Sequence, residues 1–181
     1  MTTNVVERFV GFWITCVLLL ILSAYGGAAM AFELTGTAFG NGEAIPQKYT
    51  CDGPDTSPPL QWNDPPAGTK SLALICDDPD APVGIWVHWV IYGLSPDTRK
   101  LSEGVPKEKI LENGRQGKND FGRIGYGGPC PPRGPAHRYF FTLYALNVEP
   151  ALSPGMTKAQ LLKAMEGRIL AEAKLMGRYG R

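Results

Sequence analysis

Residues 86 to 94 read WVHWVIYGL, a run rich in β-branched and aromatic side chains. In an extended chain, alternation sends Val87, Trp89 and Ile91 to one side and Trp86, His88, Val90 and Tyr92 to the other. Both sides are largely apolar, which predicts a strand in the interior of a sheet. Such a strand needs neighbours, and the sequence offers similar runs: LTGTAF at 34–39, SLALICD at 71–77 and YFFTLYAL at 139–146. Proline, glycine and aspartate crowd the stretches between them, as turns require.

From Gly93 to Gly128 the pattern fades into polar, glycine-rich sequence in which no element is placed. After Pro154 the period changes. Leu161, Leu162, Met165, Ile169, Leu170, Ala173 and Met176 recur at helical intervals behind Thr157, a suitable cap, and predict one C-terminal helix. Strands in succession, then a helix, without βαβ alternation, predict a mainly β fold: an antiparallel β-sandwich with a C-terminal helix and few others.

The chain of 181 residues is long enough for one domain with a core, placed here at 32–181. Lys and Arg number 18 against 17 Asp and Glu, a net +1 that gives no basic field for nucleic acid. The 22 glycines and 16 prolines fall between apolar runs and form no low-complexity tract.

Residues 1–31 read as a targeting segment. The run FVGFWITCVLLLILSAYGGAAMA, residues 9–31, follows Arg8 and ends in Ala29-Met30-Ala31, the small-residue pattern of a signal cleavage site. Cleavage after Ala31 is expected, giving an exported, periplasmic or secreted protein that starts at Phe32; an uncleaved anchor formed by 9–31 is the alternative. Cys16 lies inside the apolar run and would leave with it. Of the remaining cysteines, Cys76 sits in a strand-like run and reads as a small core residue. Cys51 and Cys130 sit in turn-rich sequence, and a bridge between them is the favoured pairing, although spacing alone does not fix connectivity.

Only two histidines are present. His88 stands among tryptophans, and His137 joins the proline knot GPCPPRGPA to the strand that follows. A third feature is CDDPDAP at 76–82, where an apolar strand runs out into Asp77, Asp78 and Asp80 and stops at Pro79 and Pro82. Singly, each has a plain structural reading. Converging, they would form a pocket of carboxylates, imidazoles and Tyr139, able to bind an anion if the imidazoles donate hydrogen bonds, or a divalent cation. Arg138 alternates away from His137 and Tyr139, so it is assigned a structural ion pair. No Walker loop or G-x-S-x-G elbow occurs, and Ser57 and Ser71 have no base adjacent in sequence.

Taken in order, YTCDGPDTSPPLQW, DDPDAP, WVHWVIYGL and GGPCPPRGPAHRYFFTLYAL resemble the phosphatidylethanolamine-binding protein family, in its bacterial and archaeal Raf-kinase-inhibitor-like branch. The resemblance implies a β-sandwich with a small anion pocket at one end. Carried over by motif, the ligand-binding residues are Asp78, Asp80, Pro82, His88, His137 and Tyr139. The knot before His137 is then one wall, with Cys130 where animal members usually have glycine. The implied partner is a small anion, phosphate or a phosphoryl headgroup, with no cofactor or metal, no catalytic residue, and no membrane contact beyond the N-terminal segment or a lipid headgroup. An inhibitor of a protease or signalling protein acting through surface loops, and a phosphoester hydrolase using a histidine as base, are the rival readings.

Overall fold

The computed structural model describes residues 31–149 and 152–181. Contacts divide the chain into residues 1–31 and 32–181. Apart from Ala31, the predicted targeting segment lies outside the described residues.

Two antiparallel sheets form the β body. The smaller holds β1 (Leu34–Gly36), β2 (Leu60–Trp62) and β5 (Lys100–Leu101), in the order β1-β2-β5. The larger is built from β3 (Ser71–Asp78), β4 (Trp86–Leu94), β6 (Ile110–Leu111), β7 (Gly114–Gln116), β8 (His137–Leu146) and β9 (Ile169–Tyr179), in the order β6-β7-β4-β3-β8-β9. A single turn of 3₁₀ helix spans Gln47–Tyr49, and one α-helix, α1, spans Lys158–Met165.

The larger sheet buries both faces, as WVHWVIYGL predicts. One face packs Leu72, Leu74, Cys76, Trp89, Tyr139, Phe141 and Leu143 against Leu34, Leu60 and Trp62 of the smaller sheet. The other packs Ala73, Ile75, Val90, Tyr92 and Leu146 against Leu161 and Met165 of α1. Burying a large aliphatic or aromatic side chain contributes about 1.5–3 kcal/mol, so β4, which buries Val87, Trp89, Val90, Ile91, Tyr92 and Leu94, is the strand most heavily invested in the core.

The alternation predicted for β4 is broken. Cys76 pairs with Trp89 but Asp77 pairs with Val87, so His88 is an extra residue, a β-bulge. Val87 therefore joins Val90 and Tyr92 on the helix face, while Trp86, opposite Asp78, and His88, against Tyr139, stand on the sandwich face with Trp89 and Ile91. The loop after β7 fixes the bulge from outside. Asp120 accepts the Val87 N–H at 2.8 Å through Oδ2 and donates its own N–H to the Val87 carbonyl at 3.0 Å. The Gly127 N–H reaches the His88 carbonyl at 2.9 Å.

The predicted C-terminal helix is half correct. Thr157 does cap α1, accepting the Gln160 N–H in a reciprocal capping box, but the helix ends at Met165. Gly167 then takes a positive φ of 67°, and Ile169–Tyr179 runs as β9 along the whole of β8, with Tyr139 opposite Gly177 and Phe141 opposite Leu175. Ala, Glu, Lys, Leu and Met favour a helix in isolation. Pairing with β8 overrides that preference and buries Ala173 and Leu175 in the sandwich. The first predicted strand is also shorter, ending at Gly36, where any Cβ would meet the Phe39 carbonyl oxygen at 2.7 Å. In the region left unassigned, β6 and β7 form a hairpin on the open edge of β4.

Candidate functional site

The last residues of β3 divide between the two faces. Asp77 turns to the helix side and binds Lys158 Nζ at 2.7 Å. Asp78 turns to the sandwich side and is 3% exposed. Its Oδ1 accepts the Asp80 N–H at 2.8 Å, and its Oδ2 lies 2.8 Å from His137 Nδ1, at the start of β8. Asp80, one turn further on, points elsewhere: it accepts from the Arg138 backbone at 2.9 Å and from that guanidinium at 2.9 and 2.7 Å. The guanidinium holds the Asp80 carboxyl down at about 2. The structural ion pair expected of Arg138 is thus formed, and its partner is one of the acids assigned to the pocket.

His88 is buried at the bulge. Its Nδ1 lies 2.6 Å from the Gly127 carbonyl, the residue whose N–H binds the His88 carbonyl, so one glycine holds both ring and backbone. Gly127 must be glycine, since a Cβ would lie 2.7 Å from the Phe121 ring. The imidazole packs edge-on against Phe121 and Tyr139, with centroids 5.3 and 5.1 Å apart. Burial lowers the His88 pKa, against the opposing effects of the Gly127 carbonyl and the Asp78 charge. Tyr139 is fully buried, and its hydroxyl has no hydrogen-bond partner among the described residues. Burial first, and then the Asp78 carboxylate, push this phenol well up, so it remains a donor.

Asp78, His88 and His137 open onto a pocket of about 170 Å³. Pro82 and Val83 line one side, Pro131 and Pro132 the other, and Trp86 and Phe121 complete the apolar wall. The volume falls below the roughly 300–1,000 Å³ of sites for drug-sized molecules, so the pocket suits a small group or the tip of a larger one. Cys130 belongs to the rim and is bridged to Cys51, with Cα atoms 5.3 Å apart. Among the described residues Cys76 is the free thiol, and it is buried. Larger grooves of about 400 and 600 Å³ lie beside the β6–β7 hairpin and beside β1, and neither is lined by a histidine. Among the described residues, no group of three or more His, Cys, Asp and Glu is placed to hold a metal ion, and no helix is long and apolar enough to cross a membrane.

The structure therefore lines the pocket with Asp78, Pro82, His88 and His137, sets Tyr139 out of the lining, fully buried against the His88 ring, and leaves Asp80 outside it in the grip of Arg138. Sequence reasoning missed Trp86 as a wall, although alternation placed it on the same side as His88, and it missed Phe121 and Gly127. Phe121 and Gly127 lie in the glycine-rich stretch NDFGRIGYGG, where no local period ties a residue to a distant strand.

A family model described as phosphatidylethanolamine-binding protein matches residues 35–180. The chain is 52% identical over 162 residues to a "UPF0098 protein" of Aquifex aeolicus, covering 88% of this chain and 94% of that one. It is 55% identical over 145 residues to another of Methanothermobacter thermautotrophicus, covering 80% and 95%. Among solved structures it is similar to a phosphatidylethanolamine-binding protein homologue from Chlamydia trachomatis, with a TM-score of 0.78 at 47% identity over 84% of this chain and 99% of the other. YbcL of E. coli, described as a member of the mammalian family, gives a TM-score of 0.77 at 31% identity over 83% and 98%. With the fold, the order of motifs and these likenesses in agreement, the chain belongs to the phosphatidylethanolamine-binding protein family.

Proposed function

We propose that this chain is an exported, non-enzymatic binding protein that holds a small anion, phosphate or a phosphoryl headgroup, in the pocket between β3, β4 and β8. The observation that carries the reading is the Asp78–His137 pair, 2.8 Å apart and largely buried, lining a small pocket with His88 and mainly apolar walls. A carboxylate bonded to Nδ1 orients the ring, supplies a countercharge for the protonated form and leaves Nε2 to meet a ligand oxygen. The printed description of the matching family supports a phosphoryl group as the anion. Export is supported by the apolar run at 9–31 and by the Cys51–Cys130 bridge, a bond that persists mainly in oxidising compartments.

Calorimetry of the full chain with inorganic phosphate, for wild type and His137→Ala, tests the binding reading. Wild type should bind and the variant should lose about tenfold or more, the effect of removing a charge-assisted hydrogen bond. Equal binding by both would place the anion elsewhere. Native mass spectrometry of protein taken from its own compartment would show a retained ligand directly. N-terminal sequencing of that material should begin at Phe32, whereas an intact Met1 or Thr2 in a membrane fraction would mean an anchor. The same Asp78–His137 geometry also suits a general base oriented by an acid. Turnover of a phosphoester, lost in His137→Ala, would favour that second reading.

A further inference from the structure

The Cys51–Cys130 bridge joins two exposed residues, whereas Cys76 is enclosed in the core. Its two sulfurs stand in different surroundings. Cys51 Sγ lies 3.9 Å from Arg181 Nη1. The charged groups on this side are Asp52, the next residue in sequence, and Arg181 and Arg133, whose charges both act on Asp52. The Asp52 carboxylate is already engaged, accepting from the Tyr179 hydroxyl at 2.6 Å and the Arg181 guanidinium at 3.3 Å. Two cations against one occupied carboxylate leave a positive field around Cys51 Sγ, and such a field stabilises a thiolate. Cys130 instead sits between Pro129 and Pro131, and among the described residues no side chain donates a hydrogen bond to its sulfur. The two segments are also tied without their sulfurs. The Cys51 N–H donates to the Pro129 carbonyl at 3.0 Å, and Arg181 spans the same gap, from the Pro131 carbonyl at 2.8 Å to Asp52. Opening the bond therefore leaves both sulfurs close together and ready to rejoin.

We infer that this bridge is a thiol–disulfide exchange site, opened reversibly in the folded protein by a dithiol that attacks Cys130 and expels Cys51. One thiolate of the dithiol bonds to Cys130 Sγ, and the Cys51–Cys130 bond breaks with its electron pair going to Cys51 Sγ, beside Arg181. The second thiol, once deprotonated, attacks the dithiol's own sulfur in that mixed disulfide and releases Cys130. The bridge has then gained two electrons, the dithiol has become a disulfide, and its two protons pass through solvent to the freed sulfurs as each is protonated. The direction follows from the leaving group, because exchange is faster when the expelled sulfur is the better-stabilised thiolate. Exposure makes the reaction possible without unfolding. Arg181 acts here as a positioning residue, through the charge it sets beside Cys51 and the strap it keeps across the open bond.

Reduced glutathione tests the direction, because a monothiol stops at the mixed disulfide. The folded full chain is treated with it, quenched in acid at early times, alkylated and mapped by mass spectrometry, which keeps the peptides of Cys16 and Cys76 apart from the other two. Glutathione should sit on Cys130 and the alkyl group on Cys51, about tenfold or more over the reverse. An even split, or glutathione mainly on Cys51, would overturn the inference. Dithiothreitol tests the native-state reaction: the rate of thiol release should be the same without urea and in about 1 M urea, below the unfolding transition. A rate that follows the unfolded fraction would make the bond a staple only and overturn the exchange site. Both measurements use the wild type and so hold whether or not the variants fold. Arg181→Gln should slow opening about tenfold and even out the glutathione map. In Cys130→Ser, the pH dependence of alkylation at Cys51 should give a pKa below the ordinary thiol value of about 8.5, and Arg181→Gln in that background should raise it. A Cys51 value at or above the ordinary one would contradict the role given to Arg181 and overturn the assigned direction.

Discussion

The depressed pKa of His88 makes a claim about stability as well as binding. In the unfolded chain this histidine titrates near its ordinary value of about 6.5; in the folded chain burial makes it bind a proton less readily. The unfolded state thus takes up more protons as pH falls, and stability rises with pH. The contribution is fully present above about 6.5 and declines as the pH drops toward the lowered folded value. Urea unfolding at about pH 5 and pH 7.5 should show wild type losing more stability in acid than His88→Gln, and equal losses would contradict the lowered value. The two acids of DPD make a second comparison at this scale. Asp78 faces His137, and Asp80 is held by Arg138. Asp78→Asn should weaken phosphate binding about tenfold or more, while Asp80→Asn should leave it within about twofold. A larger loss for Asp80→Asn would return that residue to the pocket. Sequence motifs nominated both acids, since adjacency cannot tell which of two carboxylates meets an arginine on another strand.

Strands with strong two-sided patterns were legible, and irregularities imposed by neighbours were not. β3, β4 and β8 were readable because each carries a long apolar or aromatic run whose burial is its main reason to exist. The bulge in β4 depends on Asp120 and Gly127, residues far along the chain whose backbone and side-chain bonds take up the groups at Val87 and His88. β9 escaped because its alanines, lysine and glutamate suit a helix, and only the open edge of β8 decides the matter. That docking leaves its own mark at Gly177, where a Cβ would lie 2.5 Å from Ile45 Cγ1. Gly177→Ala should cost about 1–3 kcal/mol by overpacking, measured by denaturant titration. Thr157→Ala should cost about 1 kcal/mol through the lost cap. If Gly177→Ala were neutral, the contact between β9 and the Ile45 segment would be looser than described.

Across the whole molecule, the site draws on four stretches that the fold brings together: the DPD turn, the start of β4 with Trp86 and His88, the start of β8 with its proline rim, and the loop carrying Phe121 and Gly127. The Cys51–Cys130 bridge ties that rim to the segment around Tyr49, across a sequence separation of 79. In the chain-entropy model, closing such a loop stabilises the fold by about 4 kcal/mol. Reduction by a dithiol, or paired Cys51→Ser and Cys130→Ser changes, should lower the denaturation midpoint accordingly, and an unchanged midpoint would mean the rim holds without it. The extra residue in β4 carries a different implication. Deleting Val87 would remove this bulge from the ladder with β3, leaving the one at Gly93, and place His88 opposite Asp77, on the helix face beside Lys158. The remaining β3–β4 pairs should be kept, and the pocket would lose the imidazole of His88. One residue more or less would thus tell apart what the β3–β4 pairing needs from what the pocket needs, since that pairing can close without the extra residue while the His88 ring cannot then reach the site.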